Sequence, residues 1–89
     1  MDEPIRIPIE AELDLHAFQP RDIPSVVEEY LNEAHALGLT EVRLVHGRGI
    51  GVQRAAVHRT LEHHALVRSF HDDPRSHLGA TIAILTTAR

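Results

Sequence analysis

Apolar and polar positions alternate along residues 10–16, EAELDLH, which puts Leu13 and Leu15 on one face and Asp14 with His16 side by side on the other. This alternation predicts a strand. Residues 5–9, IRIPI, alternate too, but Pro8 lacks a ladder donor, so residues 1–9 are expected to form an edge strand or an extended arm. After the turn at Ala17–Pro20 the period changes. Ile23, Val26, Val27, Tyr30, Leu31, Ala34 and Leu37 recur at helical spacing and predict a helix over 22–37. Asp22 suits its N-cap, Pro24 its first turn and Gly38 its C′ position. Glu28, Glu29 and Glu33 fall on its solvated outer face.

The apolar, β-branched run beginning at Val42 predicts a strand over 42–46. Val52, Ala56, Val57 and Leu61 share one face of a second helix, expected over 52–65 with His63 and His64 in its last turn. Val67 to His71 reads as a short strand and Asp72 to His77 as a polar loop. Gly79 to Thr86, GATIAILT, has the continuous apolar character of a central strand. The order is β-α-β-α-β-β. It predicts an α/β fold with right-handed crossovers, a two-layer sandwich of a sheet of about four strands with two helices on one face, built from residues 10–89.

Composition narrows the chemistry. The 89 residues suffice for one domain, and the core must be aliphatic because the chain holds two Phe, one Tyr and no Trp. Without cysteine there is no disulfide framework, thiolate metal site or cysteine nucleophile. No stretch is long and apolar enough to span a membrane, and the acidic start lacks a signal-peptide core, so the expectation is a cytoplasmic protein. The net charge of −4 argues against a non-specific DNA-coating protein. The charge is divided, however. Residues 1–42 hold ten Asp/Glu and two Arg, a balance of −8, whereas residues 43–89 hold three Asp/Glu and seven Arg, a balance of +4. Every basic residue apart from histidine is arginine, whose planar fork suits phosphate.

Within the basic half, the predicted strand ending at Val45 leads through His46, Gly47, Arg48, Gly49, Ile50 and Gly51 into the second helix. Alternate glycines permit positive φ, so backbone N–H groups can converge on an anion beside a helix N-terminus. Arg48 and Arg54 add charge on either side. The spacing is neither G-x-G-x-x-G nor a Walker loop, which leaves a tight strand-to-helix connection as the alternative.

LDLH at Leu13–His16, VRLVHGRGIG at Val42–Gly51 and GATIAIL at Gly79–Leu85 together resemble the Smr (small MutS-related) domain, over residues 10–86. The resemblance is to the MutS2 C-terminal module and to free-standing bacterial members. It implies a fold like the C-terminal domain of bacterial translation initiation factor three, binding to DNA or RNA, and nicking endonuclease activity. By position, Asp14 and His16 match the first motif, and His46, Gly47, Arg48 and Gly49 match the second. The chain departs from the family pattern at Ala17, where glycine is usual, and at Arg75–Gly79, a segment often glycine-rich.

On this reading the candidate catalytic residues are Asp14, His16 and His46. The candidate nucleic-acid contacts are His46, Gly47, Arg48, Gly49, Gly51, Arg54, His58 and Arg59. Asp14 or His16 would act as general base, with Arg48 and the loop amides stabilising charge on the phosphorus centre. A divalent ion, Mg²⁺ or Mn²⁺, held by Asp14 would serve both purposes. Arg54, His58 and Arg59 would extend a phosphate track along the outer side of the second helix, with several histidines partly protonated at mildly acid pH. The eight histidines lack the i, i+4 spacing of a helical metal pair, so no dedicated metal site is expected. So few aromatic residues disfavour base stacking, and contact is expected mainly to backbone phosphates. The alternatives are a binding-only nucleic-acid module and a protein–protein interaction domain using the apolar segment Ile5–Ile9.

Overall fold

The computed structural model describes residues 11–47 and 51–87, so the expected arm over 1–9 lies outside the described residues. In chain order the elements are β1 (Glu12–Asp14), α1 (Ile23–Ala36), β2 (Glu41–Val45), α2 (Val52–Glu62), β3 (Val67–Asp72) and β4 (Ala80–Leu85). They form one sheet in the order β1-β2-β4-β3. β1 pairs parallel with β2, and β4 pairs antiparallel with both β2 and β3. β3 therefore runs parallel to β2 with β4 inserted between them. Both helical crossovers step in the same direction across the sheet, and the right-handed rule then places both helices on one face.

Register sorts the side chains. Val42, Leu44, Ala83 and Leu85 turn towards the helices and join Leu15, Ile23, Val27, Leu31, Ala34, Val57 and Leu61 in one aliphatic core. Arg43 and its β4 partner Ile82 lie on the other face. α1 enters through a 3₁₀ turn, Pro20–Asp22, which already gives Asp22 a right-handed helical backbone. The Asp22 side chain consequently makes no capping bond, contrary to expectation. At the other end the chain reverses at Gly38 (φ +86°), with Gly38 N–H bonded to His35 O and Leu39 N–H to Ala34 O. That paired arrangement is a Schellman stop. It leaves Leu37 outside the helix and 62% exposed rather than on the buried stripe.

α2 is shorter than its periodicity suggests and ends at Glu62, so His63 and His64 lie beyond its last turn. Val52, expected on the inner face, opens the helix and is exposed. β4 is buried along nearly its whole length, as a strand with a neighbour on each side must be. Among the described residues no helix is long and apolar enough to cross a membrane.

Candidate functional site

Because β1 and β2 are parallel, with Asp14 opposite Val45, the two sequence motifs emerge at the same end of the sheet. β3 ends there and β4 begins there. At the end of β1, His16 folds back on Asp14. Its backbone N–H donates to Asp14 Oδ1 at 2.9 Å, and its Nδ1 lies 2.6 Å from the same oxygen. A carboxylate only accepts, so Nδ1 carries the proton, and in the neutral ring Nε2 is left with a lone pair. The backbone bond and then the ring bond from His16 hold the Asp14 carboxyl below its usual pKa. Both side chains are open to solvent, at 63% and 64% exposure. The ring covers Gly47: a Cβ at that position would sit 3.1 Å from His16 Nε2. Ala17 is not among the described residues with positive φ, so the departure from glycine there carries no backbone strain.

Gly47 itself has φ +85°, a conformation that favours glycine. Its N–H donates to Gly79 O at 2.9 Å, and the His46 N–H donates to the same carbonyl at 3.0 Å. The Gly47 amide is thus engaged within the fold and does not face an anion. Arg48, Gly49 and Ile50 lie outside the described residues. Gly51 (φ +88°) forms the N-cap of α2, and its carbonyl accepts the Ala55 N–H at 2.9 Å.

His46 is placed differently from a residue meeting substrate. It is only 2% exposed. Its Nδ1 is 3.0 Å from Gly47 O and must donate, since a carbonyl cannot. Its Nε2 therefore accepts from Thr81 Oγ1, 2.9 Å away. The single hydroxyl proton of Thr81 being used, the Nε2–H of His58 donates to Thr81 Oγ1 at 2.9 Å. Burial pushes both His46 and His58 below the usual imidazole pKa, and the Arg54 charge adds to this. Both shifts favour the neutral ring, against the expectation that histidines here would be partly protonated at mildly acid pH.

Arg54 is also drawn inward. Its Nε and Nη2 donate to Asp72 Oδ1 and Oδ2 at 2.9 and 2.7 Å, a bidentate pair that lowers the Asp72 pKa. Arg54 and His58, four residues apart, thus turn together towards β3 and β4. Of the residues expected to form a phosphate track, Arg54 and His58 are engaged with Asp72 and Thr81, and Arg59 is exposed. Sequence reasoning missed Asp72 and Thr81. The available signal for Thr81 was a lone hydroxyl inside an otherwise apolar buried run.

On the open face, Arg43 donates to Asp73 Oδ2 at 2.6 Å and to Glu12 Oε1 at 3.0 Å. Asp73 is buried and held far below the usual carboxylate range, first by Arg43 and then by the Arg75 amide. This pairing anchors the loop between β3 and β4. Among the described residues no three His, Asp or Glu side chains are grouped to hold a metal ion. Asp14 Oδ1 already accepts twice from His16.

Comparison with known proteins agrees with this architecture. The family model of the Smr domain matches residues 13–86. The endonuclease MutS2 of Pelotomaculum thermopropionicum is 40% identical over 79 residues, which is 86% of this chain and 10% of that protein. The corresponding protein of Caldicellulosiruptor saccharolyticus is 36% identical over 64 residues, 72% of this chain and 8% of that one. The chain thus spans about a tenth of the length of the curated relatives it matches. The crystal structure of the Smr domain of Thermus thermophilus MutS2 superposes with a TM-score of 0.80 at 36% identity, covering 84% of this chain and 96% of that one. YdaL, a stand-alone small MutS-related protein from Escherichia coli, gives 0.79 at 25% identity, covering 86% and 65%. With its two motifs joined at one sheet end, its strand order and these matches along most of its length, the chain belongs to the Smr domain family.

Proposed function

We infer that this domain binds nucleic acid through backbone phosphates at the end of the sheet where β1 and β2 terminate, and nicks it there. The observation that carries the reading is the Asp14–His16 pair. An ionised carboxylate fixes Nδ1–H, so that Nε2 is the basic atom, in a solvent-open position against the Gly47 turn. An acid that orients a histidine is a recurrent way of building a general base. His16 Nε2 takes a proton from an attacking water. The water oxygen forms the new bond to phosphorus as the ester P–O bond breaks, and the leaving oxygen takes its proton from solvent. Arg48, Gly49, Gly51 and Arg59 are assigned to phosphate contact. His46 and Gly47 shape the turn and do not touch substrate. The positive balance of residues 43–89 and the relatives' designation as endonucleases support the same reading.

The test is a plasmid-nicking assay with and without added Mg²⁺ or Mn²⁺, beside binding measured at several salt concentrations. His16→Ala is expected to lose nicking by roughly 10²–10⁴-fold while retaining affinity. Asp14→Asn, which leaves the ring unoriented, loses less. Full nicking by His16→Ala removes the catalytic assignment. Salt-sensitive binding by a wild type that never nicks establishes a binding-only module, and binding indifferent to salt points to a protein ligand instead. Arg48→Ala, compared on branched DNA, duplex DNA and structured RNA, identifies the substrate.

A further inference from the structure

The residue that follows β3 is a buried acid. Asp73 is 2% exposed, although it opens a loop and a carboxylate is costly to bury unless it is paired. Its Oδ2 accepts from Arg43 Nε at 2.6 Å, and its Oδ1 accepts the Arg75 N–H at 3.0 Å. The same Arg43 donates through Nη1 to Glu12 Oε1 at 3.0 Å. One guanidinium on β2 thus ties β1 to the loop between β3 and β4. Glu12 stands two residues before Asp14, and Arg43 two residues before the end of β2.

The anchored loop is closed on itself. Asp73 N–H donates to Ala80 O at 3.0 Å. The Ser76 N–H and hydroxyl donate to Asp73 O at 3.0 and 2.8 Å, and Ser76 Oγ accepts the Ala80 N–H at 3.0 Å. Gly79 N–H donates to Ser76 O at 3.0 Å. Between these bonds His77 (φ +52°) and Leu78 (φ +71°) are the non-glycine residues with positive φ among the described residues. Such conformations persist only where the surroundings impose them. The next residue is Gly79, whose carbonyl accepts the His46 and Gly47 amides at 3.0 and 2.9 Å. Gly47 in turn lies directly beneath His16 Nε2. A shift of the Gly79 carbonyl therefore moves the turn against the His16 ring.

We propose that Asp73 is a positioning residue: held by Arg43 and clamping the strained loop, it sets the Gly79 carbonyl that fixes the Gly47 turn beneath His16 Nε2. The inference rests on the nicking reading above and adds how the turn is held. Asp73 itself touches no substrate. An anchor that acts on stability alone lowers Tm and leaves the turnover of folded protein unchanged. One that places the turn costs turnover at unchanged affinity, because the phosphate contacts are not its own.

The test compares wild type with Asp73→Asn, which keeps the shape and removes the charge, and with Gly38→Ala, a destabilised control in the turn before β2. Nicking kcat and KM are measured at a temperature where circular dichroism shows all three folded. Amide hydrogen exchange at His46 and Gly47 is followed by NMR. Asp73→Asn is expected to lose kcat by roughly 10–100-fold with KM unchanged. It is also expected to lose protection at the Gly47 amide while amides within β4 stay protected. Leu78→Gly in that background removes the left-handed strain and is expected to recover most of both. If Asp73→Asn does not fold, Arg43→Lys replaces it. Lysine keeps the charge without the fork that reaches Asp73 and Glu12 together, and the same two losses are expected. A variant that nicks and exchanges like Gly38→Ala, or a defect that Leu78→Gly does not relieve, makes Asp73 a structural anchor only and overturns the proposal. A wild type that does not nick refutes the nicking reading, and exchange at Gly47 then still decides whether Asp73 holds the turn.

Discussion

A single glycine decides whether the two motifs can meet. Gly47 needs φ +85°, and the space above its Cα belongs to the His16 ring. An L-residue in the left-handed region costs about 1–2 kcal/mol. A methyl group at 47 would also lie 3.1 Å from His16 Nε2, close enough to displace the ring by a few tenths of an ångström. Gly38 provides the control, since it has nearly the same φ, +86°, with nothing within 4 Å of a built Cβ. Both Gly47→Ala and Gly38→Ala are expected to lower Tm by roughly 5–15 °C, as that penalty implies for a domain of this size. Only Gly47→Ala is expected to lose nicking as well. Equal activity in the two variants would show that the His16 position is unimportant. The burial of particular histidines is not legible at this scale. Eight occur in the chain, and nothing local distinguishes His46, which is sealed beneath the turn, from His16, which is open to water.

Between elements, Thr81 connects β2, α2 and β4 through one hydroxyl. It accepts from His58 and donates to His46, whose other nitrogen then holds the Gly47 carbonyl. Valine at 81 matches the shape, leaves the buried His46 Nε2 without a partner and leaves His58 Nε2 only the longer approach to Asp72 Oδ1 at 3.6 Å. Each unsatisfied buried group costs about 1–3 kcal/mol, so Thr81→Val is expected to lower the unfolding free energy in urea by about 2–5 kcal/mol, whereas Thr81→Ser retains most of it. Nitrogen-15 NMR of the histidine rings reads the linkage directly. His46 should be the Nδ1–H tautomer in the wild type and a mixture in Thr81→Val. A Thr81→Val protein of wild-type stability would refute the shared hydroxyl. The elements themselves could be read from sequence because their causes are local. Seven apolar positions and a terminal glycine mark α1, and an unbroken apolar run marks β4 as central. Connections between elements could not. That β4 slips between β2 and β3, and that Arg54 therefore reaches Asp72 rather than solvent, depends on sheet order, which periodicity does not encode. β3 accordingly extends one residue beyond its apolar pattern, to Asp72.

Across the whole molecule, the shifted acids and histidines point the same way with pH. Asp14, Asp72 and Asp73 sit below the ordinary 3.8 because His16, Arg54 and Arg43 respectively favour their charged forms. Their contribution is fully present above that unfolded value and is lost progressively as pH falls from it towards the lower folded values. His46 and His58 sit below the ordinary 6.5 chiefly because burial disfavours the cation. Below 6.5 the unfolded chain takes up protons that the folded chain refuses, so stability again falls as pH falls. None of these shifts rewards acidification. Tm is therefore expected to be flat above about pH 7, to decline from about pH 6.5, and to fall more steeply near pH 4. His58→Gln separates the stages, because an amide can still donate to Thr81 but does not titrate. Its Tm should decline less between about pH 7 and 5 and match the wild type in the acid limb. A Tm that rises on acidification to pH 5 would mean that the two rings gain protons in the folded state. The neutral His46–Thr81–His58 chain, and the turn geometry that depends on it, would then be wrong.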